Sequence, residues 1–356
     1  MTATTESDEV EATVRRAFLD QAELCRDFGS VFTGRALRAF VDVVDCETAF
    51  GRVVLGWEGL PDALHDALPL RVAAGFHALA RSGRNVALSA VYPPGEDPSD
   101  EALRHALRVA VTAEGDWLLG WLRSAPQTNE VGRSACLYLG LRQVARVTGL
   151  PIRLFEIGSS AGLNLNLDRY GYTLAGRVHG DPDSVLRLTP DWSGADDLGV
   201  DPRIAERRGC DLEPLDLSEP GQRDRILAYL WPDQAARVDR AARAVAIAEH
   251  HPPRIDRAEA ADWVIRNVAP AVEGGLATAL MHSITWGYIP EADQQRITEH
   301  LEAVGADATA DAPLAWVTFE FDTGVQPALR LRLWPGGESR LLALADPHCR
   351  RIDWKA

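Results

Sequence analysis

Apolar residues recur at helical spacing through the first third of the chain. Val10, Val14 and Phe18 with Ala17, then Cys25 and Phe28, form one stripe, and Leu37, Phe40, Val41 and Val44 form a second that ends near Gly51. Pro61 opens a third predicted helix carrying Leu64, Leu68, Val72, Phe76 and Leu79, which stops at Ser82-Gly83. The segment Pro93-Pro94-Gly95-Glu96-Asp97-Pro98 reads as a loop, and Ser99 as the cap of a helix through Leu103, Leu107 and Val111. Trp117, Leu118, Trp121 and Leu122 make one more short helix. Residues 1–125 are therefore expected as a helical domain without a catalytic motif.

The period changes in the rest of the chain, 126–356. A helix over 131–148 leads through Gly149-Leu150-Pro151 into the apolar run Ile152 to Ile157, a small-residue turn, and then Leu163, Leu167 and Tyr170 at helical spacing. That is a strand, a tight turn and a helix. Residues 172–178 and 185–188 are expected as the arms of a hairpin turning through His179 to Ser184. A second strand runs from Ile204 into Asp211, a third is Arg254-Ile255-Asp256, a fourth is Leu276 to Ile284, and a fifth is Leu314 to Phe321, with helices between them. Leu329 to Trp334 and Arg340 to Leu344, joined by Pro335-Gly336-Gly337-Glu338, form an antiparallel pair. The expectation is an α/β domain with a mostly parallel sheet and a terminal antiparallel hairpin.

A chain of 356 residues that is 46% hydrophobic suits two domains with real cores. The formal net charge of -15 argues against nucleic acid or an anionic membrane as the main partner, although a local Arg cluster can still bind a small anion. Five widely spaced cysteines, without a C-x-x-C pair, are expected as reduced and mostly buried thiols. The acidic opening Thr2-Ala3-Thr4-Thr5-Glu6 does not suit a signal peptide, and no apolar run nears a membrane span, so a cytoplasmic location is expected.

Candidate chemistry centres on Glu156-Ile157-Gly158-Ser159-Ser160-Ala161-Gly162. Its glycines allow a sharp turn and close approach of a ligand, and a helix beginning there would direct N–H groups and a positive dipole end at an anion or nucleotide. The pattern is similar to the first motif of class I S-adenosylmethionine-dependent methyltransferases, (D/E)-x-G-x-G-x-G, with Ser160 in place of the middle glycine. An acid closing the second strand of such a sheet holds a ribose, and Asp181 and Asp211 compete for that post, with downstream spacing favouring Asp211. The polar cluster Gln127-Thr128-Asn129-Glu130-Val131-Gly132-Arg133 exceeds what a helix cap needs. Arg133 is a candidate for pairing a carboxylate, and Glu130 for facing substrate. His282, ending the fourth strand, is a candidate proton acceptor, although a lone His is also a common structural residue. His250-His251 and His348-Cys349 lack companion spacing for a metal, and no metal is expected.

These motifs, together with Arg208-Gly209-Cys210-Asp211, Trp231-Pro232-Asp233-Gln234, His282-Ser283, Trp334-Pro335-Gly336-Gly337 and Pro347-His348, resemble the bacterial domain of unknown function family 2332 over nearly the whole chain. By likeness to the methyltransferases, the resemblance implies a Rossmann-like sheet binding S-adenosylmethionine. Glu156, Gly158, Ser160 and Gly162 would then shape the methionine and ribose pocket, Asp211 would hold the ribose hydroxyls, and Asn164 would contact substrate or brace the loop. The expected function is methyl transfer to a small molecule or modified peptide, with the helical domain as lid or substrate wall. A non-catalytic ligand-binding or interaction protein on the same fold is the alternative, as is a hydrolase or lyase using Glu130 and His282.

Overall fold

A computed structural model describes residues 2–321 and 324–356. The chain divides into two units, Met1–Thr128 with Pro220–Asp239, and Asn129–Glu219 with Arg240–Ala356. A single break after residue 125 does not describe 220–239, which joins the helices because Tyr229 and Trp231 pack on their apolar cores.

The helical unit runs α1 (Thr2–Asp27), α2 (Val31–Val43), α3 (Ala49–Leu55), α4 (Leu68–Arg81), α5 (Val86–Val91) and α6 (Asp100–Leu122). Phe18, Phe40, Phe50 and Phe76 meet at its centre with ring centroids 5.1–6.3 Å apart. The helix expected to open at Pro61 begins instead at Leu68. Asp62 accepts the Leu64 N–H at 2.9 Å, a local turn that competes with helix, and Leu64 stays exposed. The two helices expected between Ser99 and Leu122 are one, kinked where Glu114 leaves helical geometry. At the start of α2, Asp233 accepts the Phe32 N–H at 2.9 Å and the Ser30 hydroxyl at 2.5 Å, so the cap comes from two hundred residues away.

The second unit opens with a 3-10 turn over Val131–Arg133 and α7 (Ser134–Thr148), which Gly149 ends in left-handed conformation. Then follow β1 (Ile152–Ile157), a 3-10 helix over Leu163–Arg169, β2 (Gly171–Leu174), β3 (Arg177–Gly180), β4 (Arg187–Leu188), β5 (Asp191–Ser193) and β6 (Ile204–Asp211). The hairpin here differs from expectation. It turns at Ala175-Gly176, both with positive φ, pairing β2 with β3, and β4 joins β2 in parallel. The chain continues through α8 (Pro220–Ala228), α9 (Ala235–His250), β7 (Ile255–Arg257), α10 (Ala260–Asn267), β8 (Ala277–Ser283), α11 (Glu291–Ala306), β9 (Leu314–Glu320), β10 (Ala328–Trp334), β11 (Glu338–Ala345) and β12 (Arg351–Trp354).

The large sheet has the order β5-β12-β11-β10-β9-β8-β1-β6-β7. The block β7-β6-β1-β8-β9 is parallel throughout, and β9 to β12 then meander antiparallel before β5 pairs in parallel with β12. The expected terminal hairpin, β10 with β11, is thus the middle of a longer meander. This is an α/β fold with a large, mostly parallel sheet.

Alternation along the strands assigns the two faces. Phe155, Ile157, Cys210 and Leu280 pack with Trp263, Val264, Ile297 and Leu301 of α10 and α11. On the other face α7 lies against β9, where a Cβ at Gly140 would stand 2.5 Å from Val317. Strand order reverses between β1 and β8, since β6 and β7 extend one way from β1 while β8 and β9 extend the other. Ligands of open parallel sheets bind at such a reversal, outside the carboxyl ends of the strands. Among the described residues no helix is long and apolar enough to cross a membrane.

Candidate functional site

The carboxyl end of β1 makes three left-handed turns in five residues, with φ of +65° at Gly158, +52° at Ser160 and +70° at Gly162. Only Ser160 bears a Cβ among them, at a conformational cost of roughly 1–2 kcal/mol. The backbone of the loop is consumed internally. Ser159 N–H donates to the Cys210 carbonyl at 3.0 Å, Ser160 N–H to Asp211 Oδ2 at 2.8 Å, and Gly162 N–H to the Ser159 carbonyl at 2.7 Å. Leu163 N–H, which would open the predicted helix, donates to Asn129 Oδ1 at 2.9 Å. That helix is a seven-residue 3-10 segment with Asn166 outside helical geometry. The expected N-terminal anion site is therefore corrected, because its leading donor is already paired and its dipole is short.

The glycines serve close packing. A Cβ on Gly158 would stand 2.2 Å from Thr285 Oγ1, and one on Gly162 would stand 2.7 Å from Pro253 and 2.9 Å from Ile255. In this structure protein side chains take the room that the motif was expected to leave for a ligand.

Asp211 and Glu156 attend the loop, and Asp181 does not. Asp211 ends β6 beside β1, and besides Ser160 N–H it accepts the Glu213 N–H at 2.9 Å. Asp181 lies beyond β3 in the small sheet, where its Oδ1 accepts the Asp183 N–H. Glu156 is 2% exposed, and burial pushes its carboxyl well above the usual range. The Asn164 side chain bonds it and pulls the other way, and the charge of Asp211 adds to the upward push. Asn164 in turn accepts the Ser134 hydroxyl at 2.7 Å, so it braces Glu156 from α7. Glu156 Oε2 and Ser160 Oγ are both buried and have no hydrogen-bond partner among the described residues.

The 129–133 cluster is a structural clasp. Asn129 caps Leu163, Glu130 is buried and accepts the Gly132 N–H at 3.0 Å, and a Cβ on Gly132 would stand 2.3 Å from the His348 carbonyl oxygen. Arg133 donates from Nε to the Pro347 carbonyl and from a terminal nitrogen to the Ser283 carbonyl, each at 3.1 Å. Arg133, expected as a carboxylate fork, joins the 347 turn to the end of β8 through these two bonds. The motifs around Arg133 and Pro347-His348 are thus halves of one contact.

His282 is 1% exposed, Nδ1 lies 2.7 Å from Glu320 Oε1, and Nε2 accepts the Trp316 indole N–H at 3.0 Å. Since an indole only donates, the proton of a neutral ring sits on Nδ1 and points to Glu320. Trp286 stacks on the ring at 5.0 Å. Both ring nitrogens are engaged within the protein. Glu320, Trp316 and Thr285 were not singled out from the sequence. Glu320 ends β9 as Asp211 ends β6, an acid at a parallel strand's carboxyl end, and that was the available signal. No cluster of three metal-ligating side chains occurs among the described residues.

Fold and strand-end residues together define a parallel-sheet α/β protein with an acid-bearing glycine loop at the reversal of strand order. The chain belongs to the family described as uncharacterized proteins conserved in bacteria, DUF2332, whose model matches residues 15–354. Comparison with curated proteins and with solved structures returns no match.

Proposed function

We propose that this protein is an S-adenosylmethionine-dependent methyltransferase acting on a small-molecule or modified-peptide acceptor. The observation that carries the reading is the pair of buried oxygens, Glu156 Oε2 and Ser160 Oγ, without partners among the described residues, at the reversal between β1 and β8. Buried polar atoms are almost always satisfied, and a ligand's polar groups are one way to satisfy these. Glu156 and Ser160 would meet the polar part of the cofactor, and Asp211, at the carboxyl end of the neighbouring strand, its ribose. The cofactor supplies an electrophilic methyl group on a sulfonium. The chain's part would be to align the acceptor in a dry site.

The test is calorimetric titration of the purified protein with S-adenosylmethionine and with S-adenosylhomocysteine, repeated on Ser160→Ala. The variant deletes only an unpaired hydroxyl, and its melting temperature is expected to hold. Saturable binding weakened about tenfold in the variant supports the reading. A folded wild-type protein that binds neither compound overturns it. The packing of Thr285, Pro253 and Ile255 over the loop glycines favours a second reading, a ligand-binding protein without turnover. Saturable binding with no methyl transfer to any acceptor would support that one.

A further inference from the structure

A cleft of about 540 Å³ opens on β1, β6 and the end of α10, and shares no residue with the glycine loop. Five arginines line it, Arg153, Arg207, Arg208, Arg254 and Arg266, against one lining carboxylate, Glu206. The register sets Glu206 beside Arg153 and Arg208 beside Phe155.

The partners of these arginines divide them into a framework and a free set. Arg207 is bidentate with Asp168 at 2.7 and 2.9 Å, and Arg208 pairs with Asp256 and donates to Asn267 at 2.9 Å. Arg153 uses one terminal nitrogen on the Ala269 carbonyl and the Thr278 hydroxyl, while its buried Nε has no partner among the described residues. Arg266 is exposed and spends only Nε on the Asp262 carbonyl. Arg254 is 70% exposed and 3.9 Å from Asp256. With Asp168 and Asp256 set against their partners and Glu206 counted, the cleft keeps a surplus of two positive charges in a chain of formal net charge -15.

We infer that this cleft binds a compact phosphate-bearing polyanion. Planar guanidinium forks match phosphate oxygens, and a local positive field within an acidic protein concentrates anions where they can be held. The volume exceeds that of a single phosphate and falls in the range of small-ligand sites. The aromatic faces nearby are already used, since Arg153 lies over Phe155 at 5.5 Å and Arg208 over Trp263 at 5.9 Å. Recognition therefore runs through charge rather than through stacking on a base. The inference does not rest on the methyltransferase reading.

Sodium pyrophosphate is the probe, titrated into the full chain by calorimetry at low salt without divalent cations. One saturable site with Kd below about 1 mM is expected, weakening as salt is raised. Arg254→Gln/Arg266→Gln alters two exposed side chains and is expected to keep the wild-type melting temperature while losing at least tenfold in affinity. Glu206→Gln removes the cleft's own carboxylate and is expected to tighten binding about threefold. Absence of saturable binding by the folded wild type, an unchanged affinity in the double variant, or weaker binding by Glu206→Gln would each overturn the inference.

Discussion

Asp211 at the end of β6 accepts the Ser160 N–H at 2.8 Å, and so holds the loop that follows β1 to the neighbouring strand. A residue marked by the sequence for a ligand thus has a prior structural duty. Asp211→Ala strips an acceptor from a buried N–H and is expected to destabilise the protein by roughly 1–3 kcal/mol in urea unfolding, whereas Asp211→Asn, which keeps an acceptor, costs less. Equal stability of Asp211→Ala and wild type would show that the loop does not depend on this contact.

Glu156 gives a pH dependence of known sign. Burial raises its carboxyl in the folded chain above its unfolded value of about 4.3, so the folded state binds the proton more tightly. Its contribution to stability is full below that value and is lost as pH rises through the raised one. Glu156→Gln is expected to remove this loss, gaining more in melting temperature over wild type at pH 8 than at pH 5. A gain that shrinks with rising pH contradicts the assignment.

His77, in the helical unit, has the opposite sign. Burial lowers its imidazole to about 4, offset in part by the Ala228 carbonyl 3.1 Å from Nδ1. The unfolded chain takes up this proton below about pH 6.5, so the stability tied to the neutral ring is lost as pH falls from there towards 4. The loss is on the order of 3 kcal/mol, and His77→Gln is expected to flatten that part of the pH profile. An unchanged slope between pH 6.5 and 4 in the variant counts against it.

His282 separates a structural from a chemical role. Replacing it with Ala leaves the Trp316 indole N–H and Glu320 without their partner and opens a gap under Trp286. A destabilisation of about 2–4 kcal/mol is expected. If unfolding were unaltered while turnover collapsed, His282 would be a proton carrier after all.

The change of period from helices to alternating strands, the five parallel strands, the glycine loop with its acids, and the β10–β11 pair are all legible along the chain. Each of these is written among near neighbours, in side-chain alternation and in the backbone freedom of glycine. Side-chain spacing misplaced the start of α4 and the turn before β3, where Asp62 and Ala175-Gly176 make local bonds and dihedrals that periodicity does not report. Which polar groups pair with which is settled in the folded packing instead. Arg133 meets carbonyls at 283 and 347, His282 meets Glu320 and Trp316, and Asp233 caps a helix that begins at 31. A hydrogen bond is set by distances of a few ångströms between atoms far apart in the chain, and spacing along the sequence does not encode them.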